Sequence, residues 1–300
     1  SLHDALPICQ LPKGLMAELG YLTNLGHKIA GRNVSINEIR PELRGNVADQ
    51  RLRPFPQFGN VTMRSPNWGN SSYHALSMKA QKRFSDGLNL LATYTWSKFI
   101  DDVEAVTEGA GAPGDGQQSY YARHLDKGLS GSDQRHRLTA SFVYELPVGK
   151  GKLVGVSNRA VNLLAGGWNL GTILELRSGL PYGVIESSNR MNAFSSGSQR
   201  SNIVGEVKLP SDRPRAEFIR AWFNTAAFAF PGNGMIGNAG RAVGVGPGYA
   251  NVDASLFKQI PFGERRTLQV RGEFFNLLNR PNFDNPNTSR GAAAFGQIGG

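Results

Sequence analysis

The sequence has 300 residues, 40% of them hydrophobic, with 37 Gly, 16 Pro and a formal charge of +10. So punctuated a chain favours many short strands and long loops over helices. The single Cys9 excludes an intramolecular disulfide framework and any multi-cysteine metal site, and no run approaches the ~18 consecutive apolar residues of a transmembrane helix.

In chain order, residues 1–9, "SLHDALPIC", lack the basic and apolar regions of a signal peptide and match nothing that follows, so they are read as a non-native scar. Weak two-residue alternation starts at 15–24, where Leu15, Ala17, Leu19 and Tyr21 share a side. Less regular strands are predicted at 33–40 and 72–84. "RFSDGL" then predicts a tight hairpin with Asp86-Gly87 at its turn. In 88–97, Leu88, Leu90, Ala92, Tyr94 and Trp96 oppose Asn89, Thr93, Thr95 and Ser97. The pattern returns where Leu138, Ala140, Phe142, Tyr144 and Leu146 oppose Thr139, Ser141 and Glu145. It recurs at 168–178, with Trp168, Leu170, Leu174 and Leu176 against Asn169, Glu175 and Arg177. Two further strands follow: Val252, Ala254, Leu256 and Ile260, interrupted by Lys258, and then Leu268, Val270 and Phe274 opposite Thr267, Gln269, Arg271 and Glu273.

The links between these segments alternate in length: short at 86–87, long at about 101–134, medium after 146, long at about 181–249, short at "PFGER" 261–265. A sandwich gives no reason for such alternation. An outer-membrane barrel does, having short periplasmic turns at one end and long extracellular loops at the other. Strands of about 9 to 11 residues suit a tilted crossing of the bilayer core. Tyr94 and Trp96 at one strand end, with Tyr144 and Trp168 near the other, fit membrane-interface girdles. The apolar side is therefore expected to face lipid. Glu145, Glu175, Arg177, Arg271 and Glu273 are expected to face a wet lumen, where opposite charges on neighbouring strands would pair.

Chemical motifs are weak. Gly232, Gly234 and Gly237 fit G-x-G-x-x-G, but neither the preceding strand nor the following helix needed to hold a pyrophosphate is readable, so a loop is the simpler reading. Asp101, Asp102, Glu104 and Glu108 lack a calcium-loop pattern and read as solvated loop. The five histidines show no metal-ligand spacing and no serine sits in a G-x-S-x-G elbow, so no cofactor and no enzymatic activity are predicted. The basic residues are scattered, without a nucleic-acid-binding motif.

Five blocks carry a resemblance: "SSYHALSMKAQKRFSDGLNLLATYTWSKFIDD", "DQRHRLTASFVYELPVGKGK", "GGWNLGTILELRSGLPYGV", "WFNTAAFAFPGNGMIGNAGRAVGVGPGYANVDASLFKQIPF" and "RTLQVRGEFFNLLNRPNFDNP". In this order, over most of 68–295, they resemble the C-terminal half of the barrel in Oar-like TonB-dependent receptors. The resemblance implies an outer-membrane barrel of about 22 strands with an N-terminal plug, moving a bulky substrate with energy relayed by the TonB system. Residues 10–300 are read as part of such a barrel, without plug, TonB box or terminal strand.

The expectation is thus an all-β, antiparallel, up-and-down transmembrane barrel fragment, curved and not closed, with long extracellular loops. Its predicted partners are outer-membrane lipid, an extracellular ligand and, through the full-length protein, the TonB system. The rival expectation is a soluble β-rich adhesion or carbohydrate-binding module, in which the apolar sides would pack against a second sheet.

Overall fold

The computed structural model describes residues 8–103, 117–262 and 266–299. Strand accounts for 42% of the chain and helix for 11%. One antiparallel sheet dominates. Its strands are β1 (Ile8–Leu11), β2 (Leu15–Ala30), β3 (Asn67–Ser85), β4 (Leu88–Asp101), β5 (Gly128–Leu129), β6 (His136–Glu145), β7 (Trp168–Arg177), β8 (Tyr249–Phe262) and β9 (Arg266–Phe274). They pair in chain order, with β5 prolonging the sheet beside the end of β4 and β6 pairing directly with β4. Among the described residues β1 pairs only with β2 and β9 only with β8, so the sheet is open.

Register converts the alternation into two surfaces. Ala17, Ala80, Ala92, Ala140, Leu174 and Val252 are successive partners across six strands. The adjacent row is Glu18, Lys79, Thr93, Thr139, Glu175 and Asn251. Because side chains alternate sides with period two, a one-residue slip of any strand would place its charges among the alkyl groups, and this fixes the pairing.

The turns fit their residues. Asp86 and Gly87 have φ of +51° and +76°, the left-handed pair of a two-residue type I′ hairpin. The β8–β9 link, 263–265, lies outside the described residues, but Phe262 pairs with Arg266 on either side of it. At the same end lie the links 12–14 and 146–167, the latter carrying helix α1 (Arg159–Ala165). The links 31–66, 102–135 and 178–248 and the segment 275–299 emerge at the other end, and 178–248 carries helix α2 (Arg215–Arg220).

One expectation needs revision. The predicted strand 33–40 contains only a two-residue strand, Val34–Ser35, paired with Thr62–Met63. The rest is irregular, and its middle is fully buried, with Asn37, Glu38 and Ile39 all at 0% exposure, so alternation there does not report a sheet face. Asn37 replaces the missing ladder bonds: its Nδ2 donates to the carbonyls of Phe55 and Gly59, and its Oδ1 accepts from the Phe55 amide. The link 31–66 is therefore a further long loop. At the start of the chain, residues 1–7 lie outside the described residues, while Ile8 and Cys9 pair with Glu18 and Ala17.

Candidate functional site: a polar concavity under a folded loop cap

The polar side of the sheet curves around a cavity of about 620 Å³, reached from β3, β4, β6, β7, β8 and β9. Asn89, Ser141, Asp253, Ser255, Arg271 and Glu273 are among its lining residues. All five charged residues expected to face a lumen fall on this side by register. Arg137 on β6 reaches Glu175 on β7 at 3.3 Å, a cross-strand ion pair. Glu145 instead meets Lys152 of the following link at 2.9 Å, and Arg271 meets Glu273 two residues on in its own strand at 2.7 Å. The Arg177 guanidinium lies 4.4 Å above the ring of its register partner Tyr249. Arg137 was missed in the sequence, although its odd position in β6 already placed it on the polar face.

Much of the opposite side is exposed among the described residues. Tyr21, Trp96, Ile260's neighbour Leu268 and Val270 belong to it, with exposures of 65%, 51%, 58% and 46%. Near the long-loop end the Tyr94 hydroxyl bonds His136 Nδ1 at 2.7 Å, and Tyr21 and His74 repeat this arrangement at 2.7 Å. Tyr144 and Trp168 lie toward the short-link end, and Trp168 Nε1 donates to the Leu164 carbonyl at 2.8 Å. The Tyr21–His74 pair escaped sequence reasoning because the histidine sits 53 residues away.

The long loops fold together. Tyr182, Val184, Phe223, Ala227 and Phe228 form a core joined by Phe295, with the Phe223 ring 5.2 Å from both Tyr182 and Phe295. Around it, buried charges tie segments distant in sequence. Arg200 meets Asp126 at 2.5 Å, Arg241 meets Asp101 at the top of β4, and Glu186 accepts from Ser201 at 2.7 Å and from Arg290 at 3.1 Å. Glu38 accepts from the Ser119 hydroxyl at 2.5 Å and the Tyr120 amide at 3.1 Å, with Arg44 at 3.7 Å. Burial raises the Glu38 pKa, and the bonds from Ser119 and Tyr120 oppose that rise only in part. Burial likewise pushes the Tyr182 hydroxyl up to about 12.

The glycine motif belongs to this cap. A Cβ on Gly237 would stand 1.9 Å from the Arg200 carbonyl oxygen, and Gly232 and Gly234 have φ of +108° and +73°, so all three of its glycines answer to backbone geometry. No helix follows it. Of the acidic cluster, Glu104 and Glu108 lie outside the described residues, while Asp101 is held by Arg241 and Asp102 accepts from the Asn70 amide. Among the described residues no group of three His, Cys, Asp or Glu side chains is placed to hold a metal. Where cap meets sheet, a second cavity of about 590 Å³ opens between Gln134, Arg177, Ser178, Tyr249, Asn282 and Asp284.

A curved antiparallel sheet with one apolar and one polar side, long loops gathered at one end and short links at the other is the wall of an outer-membrane β-barrel. The chain matches the outer membrane beta barrel domain family over residues 9–300, and it belongs to that family. Its place is the bacterial outer membrane. Comparison with the curated proteins gives no match.

Proposed function

We propose that the chain forms part of the wall and the extracellular cap of a TonB-dependent transporter of the Oar-like kind, moving a bulky substrate without chemistry of its own. The observation that carries this reading is the pairing of a wide concavity, with charged and polar side chains set among apolar ones on its wall, with a folded cap standing over its long-loop end. In this reading Glu145, Glu175, Arg177, Arg271 and Glu273 line the lumen. Tyr94, Trp96, Tyr144 and Trp168 mark the membrane interfaces, and the apolar face between them meets lipid. The extracellular ligand first meets the cap and the cavity around Arg177 and Asn282. The family resemblance in the five sequence blocks supplies the TonB partner, and coupling belongs to the full-length protein. No nucleic acid is involved.

A soluble adhesion or carbohydrate-binding module would need a second sheet over the apolar face. Among the described residues the remaining sheets have two strands each and lie in the links, leaving Tyr21 and Trp96 uncovered. The test is in cells: a site-specific photo-crosslinker on the periplasmic side of the full-length protein should capture TonB, and substrate movement should stop when TonB is deleted. Movement that persists unchanged without TonB, with no crosslink, would refute TonB coupling.

A further inference from the structure

The link between β6 and β7, residues 146–167, is far longer than the links 12–14, 86–87 and 263–265 at the same end. It exposes aliphatic side chains that a water-facing turn has no reason to carry: Leu153 at 91%, Val161 at 49%, Leu163 at 55% and Leu164 at 75%. From Leu146 to Leu174 it has no Asp or Glu, while Lys150, Lys152 and Arg159 are positive.

Its helix is pinned to the apolar side of the sheet. Lys258 sits on that side, opposite the interface residue Trp168, as the one cation in an otherwise apolar row of its strand. Its side chain is nevertheless covered, at 6% exposure, and its Nζ donates to the carbonyls of Leu163 and Gly166, both at 2.5 Å. Trp168 Nε1 takes the Leu164 carbonyl between them. These carbonyls close the last turn of α1, where intrahelical donors run out and the helix dipole favours a cation. The interruption of the apolar pattern at Lys258 is thus a docking point.

We infer that residues 146–167 are a membrane-interface anchor, with α1 lying along the inner-leaflet headgroup region of the outer membrane. Leu163 and Leu164 meet the upper acyl chain, and Lys150 and Arg159 meet phospholipid phosphates, Lys152 being held by Glu145. Continuity with the apolar face and the purely positive charge of the link select phospholipid as the occupant. The inference rests on the reading that this face meets lipid.

Bimane fluorescence tests it in the full-length protein carrying Cys9→Ser, labelled through Leu164→Cys, Leu174→Cys or Ile173→Cys. The proteins are reconstituted in phosphatidylethanolamine–phosphatidylglycerol vesicles with doxyl lipids quenching at shallow or deep positions. Leu164 is expected to be quenched several-fold more by shallow than by deep doxyl, Leu174 by deep doxyl, and Ile173 by aqueous iodide alone. Quenching of Leu164 by iodide alone, with Leu174 still quenched by lipid, would overturn the anchor while sparing the lipid-facing reading. Loss of lipid quenching at Leu174 would remove both. Lys258→Met should abolish the shallow quenching at Leu164 and leave Leu174 unchanged; unchanged quenching at Leu164 would overturn the role given to Lys258.

Discussion

Ile173 and Leu174 are chain neighbours with different surroundings: Ile173 lines the polar concavity, and Leu174 stands in the row of Ala140 and Val252. Leu174→Arg is therefore expected to cost about 2–4 kcal/mol if the site lies near the bilayer midplane, and Ile173→Arg much less. Urea titration of folding into vesicles measures both. The charges of the polar face are themselves modest contributors. Arg137 and Glu175 are half exposed, so Glu175→Gln is expected to change stability by less than about 1 kcal/mol. Buried pairs in the cap behave otherwise. Asp126→Ala would strand the Arg200 guanidinium in a dry site, and the expected loss is about 3–5 kcal/mol, read as protease sensitivity of the loops.

Glu38 adds a pH dependence. Burial raises its folded pKa above the ordinary 4.5, so the folded cap holds a proton that the unfolded chain releases. Its contribution is fully present below pH 4.5 and declines as pH rises through the raised value. Hydrogen exchange at Tyr120–Leu125 should accelerate with pH over that window after correction for intrinsic exchange, and Glu38→Gln should flatten the trend.

At the scale of elements, the β3–β4 hairpin was readable from Asp86-Gly87 because a two-residue turn between right-twisting strands demands two left-handed residues. Gly87→Val is expected to cost about 1–2 kcal/mol, because a β-branched side chain resists positive φ, and slower folding into vesicles would show it. Strands with one apolar and one polar side were equally readable: β4, β6, β7, β8 and β9 lie close to their predicted bounds. The segment 33–40 was not, because its middle is fully buried and Asn37 replaces sheet bonds with side-chain bonds. Helix α1 was missed as well. Seven residues held by a lysine nearly a hundred positions away leave no periodic signal of their own.

For the whole molecule, the alternation of short and long links was enough to sort the strand ends into two groups, since each antiparallel strand reverses direction. What the loops do once gathered was hidden. Arg200 with Asp126, Arg241 with Asp101 and Arg290 with Glu186 join positions 74 to 140 residues apart. Composition gives no sign of these pairs.

The sequence by itself determined the all-β class, the two-sidedness of the sheet and the membrane setting, because period-two alternation is a local property of each strand that records the solvent on either side. Only the tertiary structure decided which charges pair, that the loops fold into one cap, and why a lysine interrupts the apolar face. Those outcomes depend on contacts between segments brought together by sheet register and loop packing, and no local pattern encodes them.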